Sequence, residues 1–260
     1  MAPARLLSLL SCLSCLSCVL ATLTSCATYA PPEASLQSLA GLPMAPLDAD
    51  SYVEPATSVA VRDRLRRISR DASRRIEAFY GARVAPRPVV IFCGADPCRL
   101  HFAGPTRRSW SLAPGQAAEG ARYVAGARPT IVVARTDAHA ENVLAHELSH
   151  LELQARARPG RAPTWFDEGV ATAVGQEQDC ARVVPTPMSR LAPLVDDDAW
   201  FAFTSAPGAL VPAYCGARRE VEAWLRLNGA HALLALLGEL RAGRAFEDVY
   251  QVAAIVTPEP

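Results

Sequence analysis

Apolar residues recur at two different periods along the chain. Val61, Leu65, Ile68, Ala72, Ile76 and Phe79 stand three or four apart, which predicts a long amphipathic helix whose other face carries Arg62, Arg66, Arg67, Arg70 and Arg74. Short unbroken apolar runs follow. Val89-Val90-Ile91-Phe92 and Thr130-Ile131-Val132-Val133 predict buried strands, with weaker strands at Trp110-Ser111-Leu112 and Arg122-Tyr123-Val124. Helical spacing then returns at Val143, Leu144, Leu148 and Leu151, with Asp137 as the expected cap, and three more helices are expected around Val221, Leu236 and Val249. Strands first and helices afterwards argue an α+β fold, a small mixed sheet followed by a helical C-terminal part. No internal repeat is visible.

Before this patterned body, Arg5 is followed by residues that stay apolar or small through Leu23, the charge and length of an export signal over residues 1–25. The run ends Leu23-Thr24-Ser25-Cys26, which resembles the lipobox of bacterial lipoproteins. The resemblance implies a lipidated Cys26 that anchors the protein to a membrane of the bacterial cell envelope, on its periplasmic face or at the cell surface. Cleavage after Ala27 or Ala30 would instead release a soluble secreted protein. A retained membrane helix is opposed by the many Ser and Thr positions and by the lack of a basic stop after the run. Residues 26–55, with Pro31, Pro32, Pro43, Pro46 and Pro55, read as a flexible tether, and residues 56–256 as one folded domain.

Composition narrows the class. All 26 basic residues are Arg, balanced by 26 acidic ones, so nothing suggests a nucleic-acid partner and the Arg-bearing helix face reads as a solvated one. Half the chain is apolar, enough for a substantial core. Cys93, Cys98, Cys180 and Cys215 make an even count in an exported chain and suggest two disulfides. Cys93–Cys98 looks like a local loop staple, and Cys180–Cys215 follows by elimination. Four-thiolate zinc binding would need tight Cys-x-x-Cys pairs, which are absent.

The chemistry is concentrated in His146-Glu147-Leu148-Ser149-His150. Positions four apart share one helix face, so both imidazoles can bind one ion, while Glu147 is turned about 100° from the first and stands where a base acting on a metal-activated water belongs. Glu168, eighteen positions after His150, supplies the second carboxylate of a hydrolytic site for a single Zn2+.

Around Glu168, Trp165-Phe166-Asp167-Glu168-Gly169 resembles the Trp-x-x-Glu-Gly helix of the gluzincin metallopeptidases, the aminopeptidase-N-like and peptidase-MA-like groups. The resemblance covers roughly residues 85–250. It implies a zincin-type peptidase domain with His146, His150 and Glu168 as zinc ligands and Glu147 as general base. The interval from His150 to Glu168 is one residue shorter than in the aminopeptidases, which the Pro159, Gly160 and Pro163 loop can absorb. Tyr214 matches a family Tyr-x-x-Gly-Ala helix start whose hydroxyl stabilises an oxyanion, although Gly216 comes one place early and a basic residue is missing. A half-buried aromatic is the other reading of Tyr214; Tyr250 and Tyr123 lack a matching context. The resemblance also implies that the Thr130–Val133 strand borders the cleft and pairs with bound peptide. No Gly-x-Met-Glu-Asn segment for recognising a free amine precedes His146, which points to internal cleavage or another amine-binding device.

Other residues near the motif divide two ways. Thr172, four after Glu168, could support a ligand histidine from behind or be a plain helix-surface residue; Asp167 could orient a ring nitrogen or face water. His101, His139 and His231 lack partners at ligand spacing, and Asp196-Asp197-Asp198 reads as a solvated turn rather than a calcium loop. The expected activity is hydrolysis of a peptide or protein substrate in the envelope. The alternative is a catalytically idle lipoprotein of the same fold that binds a protein or cell-wall partner; a metal-buffering lipoprotein would need further His and Cys clusters.

Overall fold

Four consecutive β-branched or aromatic residues at Val89–Phe92, and again at Thr130–Val133, have no polar face to present to water, so each strand must be covered on both sides. The computed structural model, which describes residues 42–103, 121–124, 129–176 and 180–255, places them at the centre of a five-stranded mixed sheet. Its order is β1 (Ala45–Pro46), β2 (Ser51–Val53), β3 (Val89–Phe92), β5 (Thr130–Val133), β4 (Ala121–Val124). β2, β3 and β5 run parallel, with Val90 opposite Ile131 and Phe92 opposite Val133; β1 and β4 are antiparallel edges. Side chains alternate between the faces. Val53, Val90, Phe92, Ile131 and Val133 join the large core under the helices, while Val89, Ile91 and Val132 join a smaller one with Cys93, Cys98 and Phe102.

The long helix forms as its spacing predicts. α1 (Val59–Tyr80) starts at Ser58, whose hydroxyl accepts the Val61 N–H, buries Leu65, Ile68, Ala72, Ile76 and Tyr80, and ends at Gly81 with φ 77°. Arg66 and Arg74 pair with Asp63 and Asp71 on its solvated face. The short α2 (Asp96–Ala103) follows β3, stapled by the Cys93–Cys98 disulfide. α3 (Ala140–Ala157) and α4 (Thr164–Gly175) come next, then the short α5 (Met188–Leu191) and α6 (Asp197–Thr204), and the closing helices α7 (Leu210–Asn228), α8 (Ala230–Ala242) and α9 (Phe246–Ile255). The fold is therefore α+β, and no helix among the described residues is long and apolar enough to cross a membrane.

Three expectations need correction. The flexible tether does not extend to residue 55: β1 and β2 lie within it, Leu47 and Val53 are buried, and Arg66 donates to the Leu47 carbonyl. Prolines misled because Pro46 sits on an edge strand and Pro55 beyond a strand end, where no ladder N–H is missed. The strand at Thr130–Val133 cannot take up a bound peptide, because β3 and β4 fill both its sides; among the described strands β4 is the outer one. Asp137 does not cap α3, whose first turn follows His139; its carboxylate accepts the His139 N–H and pairs with Arg135. The signal, Cys26 and the strand expected at Trp110–Leu112 lie outside the described residues.

One buried carboxylate ties the sheet layer to α3. Glu152 is fully buried and accepts the N–H groups of Val84 and Ala85 at 3.0 and 3.1 Å and the Arg83 guanidinium at 3.4 Å. Removing it leaves the buried Ala85 N–H and the part-buried Val84 and Arg83 donors without that acceptor. Glu152→Ala is expected to cost about 3 kcal/mol of stability, read as a lower denaturant midpoint at unchanged slope; a shift worth less than about 1 kcal/mol would show that the loop repacks without it.

Candidate metal centre

The helices that carry His146, His150 and Glu168 meet because the link between them turns sharply. Arg158 and Gly160 adopt positive φ (71° and 72°), and Pro163 then starts α4 with extended backbone. α3 turns His146 inward beside Leu148 and Ser149 and leaves it 8 % exposed. α4 buries Trp165, Phe166, Gly169 and Val170, so Asp167 and Glu168 are carried against α3.

His146 Nε2 and His150 Nε2 lie 3.0 Å apart, and Glu168 Oε2 is 3.2 Å from the first and 3.6 Å from the second. A tetrahedral ion with ligands at about 2.0–2.1 Å separates them by about 3.3 Å, the mean edge of this triangle. These three residues could therefore hold a metal ion. Asp167 Oδ1 stands 2.7 Å from His150 Nδ1. Neighbouring carboxylates thus bracket one ring: Asp167 accepts the Nδ1–H proton, which leaves the Nε2 lone pair directed at the shared point.

The electrostatics favour a cation. Burial alone would lower the His150 imidazole, yet the charges of Asp167 and then Glu168 override it and raise it to about 9. Burial would raise the Glu168 carboxyl, but His150, then His146, and a hydrogen bond from the Tyr214 hydroxyl hold it below its ordinary value.

Tyr214 comes in from α7, where it stands in the second turn rather than at the helix start. Its ring centroid is 6.0 Å from that of His146, and Trp200 of α6 packs on it edge-on at 5.3 Å. Close helix approach allows this. A Cβ on Gly169 would lie 2.7 Å from the Ala217 carbonyl oxygen, and one on Gly216 only 2.2 Å from that of Thr186. Cys215, next to Tyr214, is bonded to Cys180 after α4, so both expected disulfides are present.

Glu147 is half-buried on α3, next to His146. Thr172 is buried and its hydroxyl has no hydrogen-bond partner among the described residues, so it makes no bond to a histidine; the ring nitrogen of His150 away from the triangle is met by Asp167 instead. Tyr250 is turned elsewhere, donating to Glu220 and stacked on Phe246, and nothing is described of the Tyr123 side chain. His101, His139 and His231 are exposed. The acidic run begins a helix: Asp196 caps α6 through the Ala199 N–H, and Asp197 accepts from Thr164. Sequence reasoning missed Trp200 and the polar cluster that holds the ends of α3 and α4, because neither leaves a local signal.

The approach of α7 to α4 can be tested directly. Gly169→Ala is expected to destabilise the protein by about 1–3 kcal/mol in denaturant titration, since the added methyl meets backbone; full stability would mean that α7 shifts freely. No protein-family model, curated protein or solved structure matches the chain.

Proposed function

We propose that this is a zincin-type domain that hydrolyses peptide bonds with one zinc ion, held at a bacterial cell envelope by lipid on Cys26. The observation that carries the reading is the triangle of two imidazole nitrogens and one carboxylate oxygen, sized for a small tetrahedral ion. A donor set of two nitrogens and one oxygen suits zinc, whereas calcium and magnesium take oxygen shells. Three protein ligands leave a coordination position open, as catalytic sites do and structural ones do not. Bound there, zinc supplies Lewis-acid activation of a water molecule and of the scissile carbonyl.

The chain's own residues supply the rest. Glu147 takes a proton from the attacking water and delivers it to the amide nitrogen as the C–N bond breaks and the new C–O bond forms. Asp167 keeps the His150 proton on Nδ1 throughout. The Tyr214 hydroxyl, which rests on Glu168, is placed beside the ligands to donate to oxygen as negative charge develops, a contact worth about 3 kcal/mol in comparable sites. Trp200, packed edge-on against that phenol, limits its rotation. The Cys180–Cys215 bridge ties the start of α7 to the segment after α4. The envelope location rests on the export signal and on Leu23-Thr24-Ser25-Cys26.

Purified protein is expected to carry one zinc and to cleave members of a peptide library in a chelator-sensitive manner, read by mass spectrometry. Glu147→Gln should keep the zinc and lose about 10²–10⁴-fold in turnover; undiminished cleavage would remove Glu147 as the base, and cleavage unaffected by chelator would remove the metal from the chemistry. Labelled fatty acid should enter the wild-type protein and be absent from Cys26→Ser. Equal labelling of the two would exclude Cys26 as the anchor.

A further inference from the structure

Outside the triangle, a polar cluster among the described residues that joins three separate helices is centred on Arg75 of α1. Its Nη1 donates to Asn142 Oδ1 at 3.0 Å and to the carbonyls of Gly175 and Val174 at 2.9 and 3.4 Å, and its Nη2 is paired with Glu141. Asn142 in turn donates to the Gln176 carbonyl at 3.3 Å. Glu141 and Asn142 lie in the first turn of α3; Val174 and Gly175 end α4. One guanidinium thus joins the opening of the helix that carries both histidines to the close of the helix that carries Glu168.

The spacing makes this join mechanically direct. Asn142 is one turn before His146 on the same face, and Gly175 is two turns beyond Glu168 on the same face, about 10 Å along a rigid rod. A shift at either end is carried to the ligand atom. The charges also suit: a cation at the carbonyl end of α4 and a carboxylate in the first turn of α3 each complement a helix dipole. Gln176, held in the left-handed region (φ 55°, ψ 29°), is an uncommon conformation for a residue with a side chain, and the Asn142 amide fastens it from outside its own helix. The apolar face of α1 already seats that helix in the core through Leu65, Ile68, Ala72 and Ile76, so packing of α1 does not depend on this cluster.

We propose that Arg75 is a positioning residue for the metal centre, setting the offset between α3 and α4 that closes the three-ligand triangle. The inference rests on the metal-site reading above and is tested by zinc affinity instead of activity. Competition of purified protein with a chromophoric chelator gives the zinc dissociation constant, while circular dichroism reports folding. Arg75→Ala is expected to weaken zinc about tenfold, the lower end of what losing an outer partner costs. Arg75→Lys, which keeps the charge but not the fork, should fall between it and wild type. Arg66→Ala removes an Asp63 pair and a bond to the Leu47 carbonyl from the same helix without touching α3 or α4, and should leave the constant unchanged.

Equal affinity in folded wild-type and Arg75→Ala protein would overturn the proposal, as would equal weakening by Arg66→Ala, which would mark a general loosening of α1. Should Arg75→Ala fail to fold, Arg75→Lys and Glu141→Gln decide the matter on the same scale. Wild-type protein that binds no zinc would overturn the metal-site reading itself, a result distinct from failure of Arg75 alone.

Discussion

His146, His150, Asp167 and Glu168 are packed mostly out of water, and each would be costly there without the others. The arrangement relieves that cost by pairing. Asp167 satisfies one nitrogen of His150, Glu168 reaches the other nitrogen and the ring of His146, and Tyr214 donates to Glu168. The result is a pocket with excess negative charge at a point where three lone pairs converge, and that excess is what suits the site to a cation. Nearly every other feature near it serves to keep two helices and a phenol in register.

That register is held from several directions by different physics. Gly169 removes a side chain so that α7 can lie against α4. The Cys180–Cys215 bridge adds a covalent tie at the same crossing. Glu152 fastens α3 to the loop before β3 through backbone donors. In the buried space beneath the histidines, the Tyr80 hydroxyl meets Ser149 Oγ at 2.8 Å, so the α3 residue next to His150 is also anchored from α1. Packing is non-directional and sets distance; these polar contacts set orientation.

What could be read from the chain follows from how local each signal is. The two central strands, α1 and α3 were legible because their apolar periods are strong within a single window. The grouping of His146, His150 and Glu168 was legible because a helix fixes the geometry of the two histidines, and because Trp165-Phe166-Asp167-Glu168-Gly169 places the carboxylate on a second helix. β1 and β2 were not: they are two and three residues long, and proline density hid the alternation at Ser51-Tyr52-Val53. Arg75, Glu152 and Trp200 stayed hidden for another reason. The partners of Arg75 and Glu152 lie dozens of residues away, and an Arg on an Arg-rich helix or a Glu four before Arg156 looks like ordinary surface charge, while Trp200 meets Tyr214 only once α6 packs on α7. Thr172 has the expected helical spacing from Glu168, yet its hydroxyl makes no hydrogen bond among the described residues, and spacing alone could not show that.

The sheet has unlike margins. On one side β1 is only two residues long and ends in Pro46, which has no N–H to offer; on the other, β4 is four residues long and flanked on one side only among the described strands. A blunt margin cannot template a neighbour. Of the two described margins, β4 therefore offers the longer row of ladder groups and β1 the shorter one, so edge-to-edge pairing is disfavoured on the β1 side.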